Sequence, residues 1–260
     1  AFAEAGAALG EPHLIDSARR AARFVLDRLV VEGGLRRTWS KGRPSEVGGF
    51  LEDHAGLGVG LLSLYSVTGE VEWFEAAVRL GDRIRDDFTT DDGGFAATAA
   101  GGEELIVRPR DLTDNPAPSG TASAAELFFR LSQYTGDGGY GLLAERAIRA
   151  AGAVAERAPQ AAGHTLAVAH SLLRGPRELA VAGAEAAALA APAFGRYRPH
   201  LAVAFTTDPD AGDRVPLLRE RFVAGTTLAY VCRDFVCDLP TSEPEELLAQ
   251  LEAADDGAAR

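Results

Sequence analysis

The sequence predicts a mainly α-helical protein made of helical hairpins, followed by a small C-terminal α/β appendage. Three segments that share one pattern predict the hairpins, and they begin at Leu9, Thr68 and Thr135. In each segment a helix-ending Gly stands next to an acid, and apolar residues follow at helical distances. A repeat of this length with two helices is typical of an array of helical hairpins. Beyond residue 175 short apolar runs bounded by Pro, Gly and Asp predict strands.

The composition of the chain excludes several classes of function. Its 260 residues are enough for one large domain or two modest ones. A net charge of −12 argues against nucleic acid or an anionic membrane as a partner. No apolar run approaches the roughly 18–20 residues that a membrane span requires, and no signal peptide opens the chain, so we expect a cytoplasmic protein. Because the chain contains no Met, we expect a fragment of a longer protein.

The predicted helices alternate between two kinds. In residues 73–88 apolar side chains recur at helical spacing and charged residues occupy the other faces. This pattern predicts an amphipathic helix with one solvent-exposed face. Residues 51–65 and 121–131 are apolar or small nearly all round, as buried helices are, and a third buried helix is predicted near residues 161–173. A ring with the buried helices inside explains this alternation, and a packed α-solenoid explains it nearly as well.

The C-terminal part predicts a strand–helix–strand unit and a hairpin. Residues 178–184 and 200–206 read as strands, with an Ala-rich helical stretch between them. Residues 227–237 predict a tight hairpin, and residues 243–251 predict a closing helix. We therefore divide the chain into a helical-hairpin domain, residues 1–175, and a small α/β appendage, residues 176–260.

Two long polar loops precede the buried helices and mark the candidate site. Residues 93–119 form one of them, and loops beyond about 12–15 residues in a compact domain are usually functional or disordered. The other loop, residues 31–50, leads into GGFLEDHAG. In chain order, residues 31–50 are the first loop and residues 93–119 are the second loop. In a ring of alternating hairpins both loops emerge on the same rim, so the polar residues at the two helix starts are expected to lie together.

Four of these residues are candidates for acid–base chemistry on a sugar: Glu52, Asp53, His54 and Asp114. Burial and mutual repulsion on a concave rim separate the pKa values of such groups, which lets one act as acid and another as base. The alternative for Glu52 and Asp53 is that they favour the helix N-terminus through its dipole. His54 is alternatively a partly buried packing histidine, which is the commoner role of such a residue.

Five further residues are candidates for substrate binding: Asn115, Ser119, Arg108, Arg110 and His164. The two arginines suit an anionic substrate group, or they are solvated loop charges. Ser119 also suits the cap of the helix that follows it. His164, like His54, is alternatively a packing histidine.

Cys232 and Cys237 form a C-x4-C pair, with four residues between them, across the predicted hairpin. In a four-residue hairpin loop they would face each other with their Cα atoms within about 4.4–6.8 Å, as a disulfide or a redox-active dithiol. The alternatives are two small buried hydrophobes or a static bond, and in the cell we expect free thiols. No nucleotide-binding or metal-binding motif is present, so no cofactor or metal is expected.

Three motifs in order resemble one family: GFLEDHAGLGVGLLSLYSVTG, ELIVRPRDLTDNPAPSG and AYVCRDFVCDLPTSEPEEL. They resemble the C-terminal half of the thioredoxin-domain-containing family that includes the spermatogenesis-associated protein 20 type. That resemblance implies an upstream thioredoxin-like domain and an (α/α)6 toroid similar to six-hairpin glycosidases and N-acylglucosamine 2-epimerases. About half of that toroid would be present here. His54 stands where the family commonly has Tyr, and Thr121 stands where Asn is usual.

The resemblance implies two functions. The first is a carbohydrate-active or sugar-isomerising toroid domain that binds a sugar-like ligand at the rim. The alternative is a non-catalytic binding or scaffold domain for the upstream thioredoxin-like redox module, with the cysteine pair as a possible redox partner. The upstream domain and the remaining half of the toroid are the expected partners.

Overall fold

The computed structural model describes residues 1–32, 34–102 and 106–256. The start of the second motif, Glu104 and Leu105, and the end of the chain therefore lie outside the described residues. The helical part contains α1 (Phe2–Leu9), α2 (Pro12–Arg28), α3 (Leu51–Thr68), α4 (Val71–Asp87), α5 (Gly120–Thr135), α6 (Gly138–Arg157) and α7 (Gly163–Arg174). Between α2 and α3 lie two short hairpins, β1 (Val30–Val31) with β2 (Gly34–Leu35) and β3 (Trp39–Ser40) with β4 (Arg43–Pro44).

The helices form two layers, as their alternating composition predicts. Helices α1, α3, α5 and α7 pack side by side, and α2, α4 and α6 cover them on one side. Gly58 allows α3 and α5 to approach closely, because a Cβ there would lie 2.6 Å from Leu127 Cδ2. At the other end of this pair the rings of Tyr65 and Tyr134 meet with centroids 5.3 Å apart. The closure of these layers into a ring stays a prediction.

The repeated Thr-Gly-acid turn has a physical explanation in two of the three repeats. Thr68 Oγ1 donates to Leu64 O at 2.8 Å and accepts from Glu70 N at 3.2 Å. Thr135 makes the equivalent pair of hydrogen bonds in the next repeat. The Gly after each Thr adopts a left-handed conformation, with φ of 67° at Gly69. The Thr hydroxyl thus joins the end of one helix to the start of the next.

Gly69 and Gly10 offer a matched pair for testing this turn. Both have φ of 67°, but a Cβ at Gly69 would lie 2.8 Å from Phe205 O, whereas nothing lies within 4 Å at Gly10. We expect Gly10→Ala to reduce the free energy of unfolding by about 1 kcal/mol and Gly69→Ala by about 3 kcal/mol, measured by urea unfolding. Equal losses would show that the backbone at Phe205 moves away freely.

The C-terminal part is the predicted strand–helix–strand unit with a hairpin. Its strands are β5 (Arg177–Ala182), β6 (Leu201–Thr206), β7 (Leu228–Arg233) and β8 (Val236–Cys237), and its helices are α8 (Ala186–Ala190) and α9 (Pro244–Asp256). The strand order is β6-β5-β7-β8, with β5 and β6 parallel and the other pairs antiparallel. One face of the sheet packs against the helical layers, and the other packs against α8 and α9.

The sheet covers the C-terminal ends of the first helical layer. Gln133 Nε2 donates to Arg177 O at 2.8 Å and to His200 O at 2.7 Å, and Tyr134 donates its hydroxyl proton to Val203 O at 3.1 Å. The long loops therefore lie at the opposite, N-terminal ends of α3 and α5. This arrangement determines where the candidate site lies.

The prediction that the third helix of the first layer is buried is wrong. In α7 only Thr165, Val168 and Ser171 are buried, and Leu173 is 89% exposed. Among the described residues its main helical neighbours are α5 and α6. Within residues 1–32, 34–102 and 106–256, no helix has both the length and the apolar character that crossing a membrane requires.

The cysteine hairpin is tighter than predicted. Cys232 and Cys237 are joined in a disulfide, but their Cα atoms are 3.8 Å apart, below the expected range. The turn between them contains two residues, Asp234 and Phe235, rather than four. The Cα atoms of directly opposed residues in a non-hydrogen-bonded antiparallel pair lie closer together than those of other pairs, at about 4.5 Å. The observed Cα distance is therefore shorter than the predicted one. The expectation of free thiols in the cell stays a prediction.

Candidate functional site

The two long loops meet at one end of the first helical layer. A Cβ at Gly120, the first residue of α5, would lie 3.1 Å from Glu52 N at the start of α3. Leu51 N donates to Ala97 O at 2.9 Å, which ties the second loop to the start of α3. The starts of α3 and α5 are therefore adjacent, as the shared rim predicts.

Glu52 and Asp53 are held by an arginine of the first loop. Arg37 Nη2 lies 2.7 Å from Glu52 Oε1, and Arg37 Nη1 lies 2.9 Å from Asp53 Oδ2. The hydrogen bond to Glu52 is the main reason that the pKa of Arg37 is raised. Asp53 Oδ2 also accepts from Phe50 N at 2.8 Å, which closes the N-terminus of α3. Both carboxylates thus have structural partners, and Asp53 serves as a helix cap.

Asp114 is also part of the framework of the rim. Its carboxylate is buried and accepts from Ser119 N and from Thr165 N, both at 2.8 Å. Burial raises the pKa of this carboxyl, but the hydrogen-bonding groups of Ser119 and Thr165 together outweigh burial and lower the pKa below its usual value. Ser119 Oγ accepts from Ala122 N at 3.1 Å and caps α5, while Asn115 is exposed. Asp114 and Ser119 therefore join the loop to α5 and α7.

The two candidate arginines do not meet at a shared anion site. Arg108 donates through Nε to Thr98 O at 3.1 Å and through Nη2 to Asp87 O at 2.9 Å. Arg110 pairs with Asp92 at 2.7 Å on the surface of the loop. Arg108 thus stabilises the backbone of the loop, and Arg110 pairs with a carboxylate of the same loop.

His54 has the geometry of a neutral base. Its side chain is buried, its ring lies 5.0 Å from that of Phe88, and Nδ1 is 2.9 Å from Phe50 O. Because a carbonyl oxygen only accepts, Nδ1 carries the proton and Nε2 carries the lone pair. In the described part of the chain the hydrogen bond of this ring is made through Nδ1 and not through Nε2. Burial is the main reason that the pKa of His54 is lowered, so the ring is neutral at pH 7.

A cavity of about 590 Å³ lies beside His54, between the two loops and α4. Pockets of roughly 300–1,000 Å³ are typical of small-molecule sites. Its lining includes the ion pair of Arg83 with Asp87 and the residue Thr98. Thr98 Oγ1 is buried and has no hydrogen-bond partner among the residues that the structure describes. Phe50 supplies apolar surface, whereas the side chain of Phe88 is fully buried.

Gly49 explains how the chain passes so closely over His54. A Cβ at this position would lie 3.1 Å from His54 Cε1 and 3.2 Å from Leu35 Cγ. The Gly48-Gly49 pair of the motif therefore brings the first loop over the histidine. Sequence reasoning identified His54, but it did not identify Arg83, Asp87 or Thr98.

His164 belongs to a different group of residues, which we call the inter-helix polar chain: Glu4, Ser63, Arg130, Glu126 and His164. His164 Nε2 lies 2.9 Å from Glu126 Oε2, and Arg130 Nη1 lies 3.8 Å from Glu126 Oε1. Arg130 donates to Ser63 Oγ at 3.0 Å, and Ser63 donates to Glu4 Oε1 at 2.9 Å. The sequence signal that was missed is the pair Glu126 and Arg130, four residues apart on a helix that is otherwise apolar or small.

The Glu126–His164 pair is expected to stabilise the fold most within a limited range of pH, which we call its pH window. The hydrogen bond between them raises the pKa of His164, and it lowers the pKa of Glu126 against the effect of burial. The stabilisation is therefore fully present between the unfolded values of about 4.5 and 6.5. It is lost as the pH falls through the lowered pKa of Glu126 or rises through the raised pKa of His164. Urea unfolding across pH should show that His164→Gln removes this window and that His170→Gln, at an exposed histidine, retains it.

No family model matches the chain. The chain is similar to spermatogenesis-associated protein 20 of Homo sapiens, with 29% identity over 95% of this chain and 34% of that protein. It is 36% identical to spermatogenesis-associated protein 20 of Mus musculus over 52% of this chain and 18% of that protein. An uncharacterized protein of Caenorhabditis elegans is 25% identical over 91% of this chain and 34% of that protein. The chain thus spans about a third of the length of the curated relatives that it matches along nearly all of its own length.

The similarity to the spermatogenesis-associated protein 20 sequences supports the family resemblance that the three motifs indicate.

Proposed function

We propose that the cavity beside His54 binds a small sugar-like molecule and that His54 exchanges a proton with it. The observation that carries this proposal is the state of the His54 ring. Phe50 O fixes its tautomer at Nδ1, which leaves the lone pair on Nε2, in a ring that lines a 590 Å³ cavity. A neutral imidazole near pH 7 is a suitable general base.

The remaining lining suits a molecule with several hydroxyl groups. The Asp87 carboxylate accepts hydrogen bonds, and the Arg83 guanidinium donates them. The Phe50 ring suits the apolar C–H face of a sugar. In the proposed reaction His54 Nε2 takes a proton from the carbon next to the carbonyl of the sugar. Arg83, whose charge acts on His54, stabilises the negative charge that develops on the carbonyl oxygen.

The family resemblance supports a sugar as the ligand, but it does not support His54 as the residue that reacts. We propose that the two helical layers form about half of an (α/α)6 toroid, similar to that of N-acylglucosamine 2-epimerases. Fold alone does not establish function, and His54 stands where the family commonly has Tyr. The role of His54 therefore depends on the geometry of this chain.

Exchange with solvent deuterium tests the proposal directly. The protein is incubated in D2O with a panel of aldoses, ketoses and N-acyl amino sugars, and NMR follows the loss of the proton next to the carbonyl. We expect exchange with at least one sugar, and a reduction of at least about 100-fold in His54→Gln. His170→Gln, at an exposed histidine, should retain the rate. Failure of every sugar to exchange, or equal rates in His54→Gln and the wild type, would contradict the proposal.

A non-catalytic scaffold is the second candidate function. One observation favours it: Asp53, Asp114 and Ser119, which the sequence placed in the site, all hold the backbone of the rim. A scaffold requires a rigid rim and no proton exchange. Binding of a partner domain that is unchanged by His54→Gln, together with no exchange in D2O, would favour this function.

A further inference from the structure

The disulfide hairpin lies beside a buried carboxyl group. In the register of the sheet Glu178 of β5 is paired with Cys232 of β7, and Cys232 is paired with Cys237 of β8. Residues that are directly paired project from the same face of a sheet, with Cβ atoms about 4.5–5.5 Å apart. Glu178, Cys232 and Cys237 therefore form one row across the face that packs against the helices.

Glu178 is an unusual residue for this position. Its side chain is fully buried, at 0% exposure. Oε2 accepts one long hydrogen bond of 3.4 Å from Phe235 N, in the turn of the hairpin. In the described part of the chain Oε1 has no hydrogen-bond partner. A buried carboxyl with an unsatisfied oxygen is destabilising, and packing alone does not require it.

The surroundings of Glu178 allow it to hold a proton near neutral pH. Burial is the largest effect, and together with the charge of Asp234 it raises the pKa of Glu178 to about 7. The backbone N–H of Phe235 and the charge of Arg177 act in the opposite direction. Glu178 therefore changes its protonation state in the range where thiols react.

The two cysteine residues differ in exposure. Cys232 is 3% exposed, whereas Cys237 lies on the short edge strand and is partly exposed. The hairpin is also held by bonds other than the disulfide. Asp238 N donates to Val231 O at 2.9 Å, and Phe235 packs against Gly136, where a Cβ would lie 3.2 Å from its ring. The two thiols would therefore stay adjacent after the S–S bond opens.

We propose that Cys232 and Cys237 form a thiol–disulfide exchange site in which Glu178 gives a proton to Cys232 and a dithiol is the partner. A thiolate of the dithiol attacks Cys237 Sγ, and a bond forms between these two sulfurs. The Cys232–Cys237 bond breaks, its electron pair leaves on Cys232 Sγ, and the Glu178 proton neutralises the new thiolate.

The second step completes the transfer of two electrons. The other thiolate of the partner attacks its own sulfur in the mixed disulfide and releases Cys237 as a thiolate, which takes a proton from solvent. The partner ends as a disulfide, this chain ends with two thiols, and solvent returns a proton to Glu178. This site is separate from the cavity beside His54, so that either proposal can fail without the other.

Reduction by dithiothreitol tests the role of Glu178. The rate for the native oxidised chain is measured from pH 5 to 9 by rapid alkylation and mass spectrometry, and is divided by the thiolate fraction of the reagent. In the wild type the corrected rate should fall as the pH rises through about 7. In Glu178→Gln it should be at least about tenfold lower at pH 6 and independent of pH. Glu252→Gln, at an exposed carboxylate of α9, should behave as the wild type.

Single-cysteine variants test which sulfur is attacked. Cys237 in Cys232→Ser should react with an aromatic disulfide reagent at least about tenfold faster than Cys232 in Cys237→Ser. The proposal would be overturned by equal pH profiles in the wild type and Glu178→Gln. It would also be overturned by a disulfide that dithiothreitol reduces only after unfolding, or by a faster reaction at Cys232.

Discussion

Replacing Asp114 with Ala is expected to reduce the free energy of unfolding by about 3–5 kcal/mol. Two buried backbone N–H groups, those of Ser119 and Thr165, donate to this carboxylate at 2.8 Å. Each hydrogen bond to a charged acceptor contributes about 1.5–3 kcal/mol, and Ala leaves both donors without an acceptor. Urea unfolding at pH 7 measures the loss.

The neighbouring Asn115 supplies the control. It is exposed, so that Asn115→Ala should change the free energy of unfolding by less than about 0.5 kcal/mol. Because the folded pKa of Asp114 is lowered, its stabilisation is present above the unfolded value of about 3.9 and is lost as the pH falls through the folded value. An Asp114→Ala variant as stable as the wild type would leave this carboxylate available for the acid–base role that the sequence predicts.

Replacing Glu178 with Gln should stabilise the oxidised protein by about 3 kcal/mol at pH 8 and have little effect near pH 4.5. The pKa of this carboxyl is raised from 4.5 in the unfolded chain to about 7 in the fold. The folded state therefore binds more protons between these values, and its stability falls as the pH rises through them. An amide is neutral at every pH, so the variant lacks this loss.

Thermal or urea unfolding from pH 4.5 to 8 without reductant measures this difference. Glu252→Gln, on the exposed side of α9, should parallel the wild type. Parallel profiles of stability against pH for Glu178→Gln and the wild type would mean that the Glu178 carboxyl titrates normally. The proton-donor role at Cys232 would then lose its support.

The sequence predicted the helical hairpins well because local interactions determine them. The Thr-Gly-acid turn depends on bonds from Thr68 and Thr135 to residues at most four positions away. The alternation of buried and amphipathic helices also follows from spacing within each helix. Local patterns of this kind do not show which neighbours a helix has, so the exposure of α7 was not predicted.

The roles of the candidate residues depended on contacts between distant parts of the chain. Asp114 bonds to Thr165, Arg37 bonds to Glu52 and Asp53, and Glu126 bonds to His164. A sequence pattern identifies a carboxylate but not its partner, so the sequence did not show that Glu52, Asp53 and Asp114 also bond to the framework of the rim. His54 differs, because its fixed partner, Phe50 O, uses only one of its two ring nitrogens.

The cysteine turn was misjudged for a conformational reason. Asp234 and Phe235 both have positive φ, 51° and 64°, which a two-residue hairpin turn requires and which a Phe rarely adopts. The contact of Phe235 with Gly136, nearly 100 positions earlier in the chain, accompanies this conformation. A sequence without Asn-Gly or Asp-Gly at the turn therefore indicated a longer loop.

A ¹H–¹⁵N NMR spectrum of the imidazole nitrogens most directly tests whether His54 is a ligand-binding base. At pH 7 we expect a protonated Nδ1 and an unprotonated Nε2 at His54, because Phe50 O accepts from Nδ1 and burial lowers the pKa. The sugar that exchanges in D2O should shift the Nε2 signal of His54 and leave those of exposed His170 unchanged. A doubly protonated His54 at pH 7, or a saturating sugar that leaves the His54 nitrogens unchanged, would contradict the proposed function.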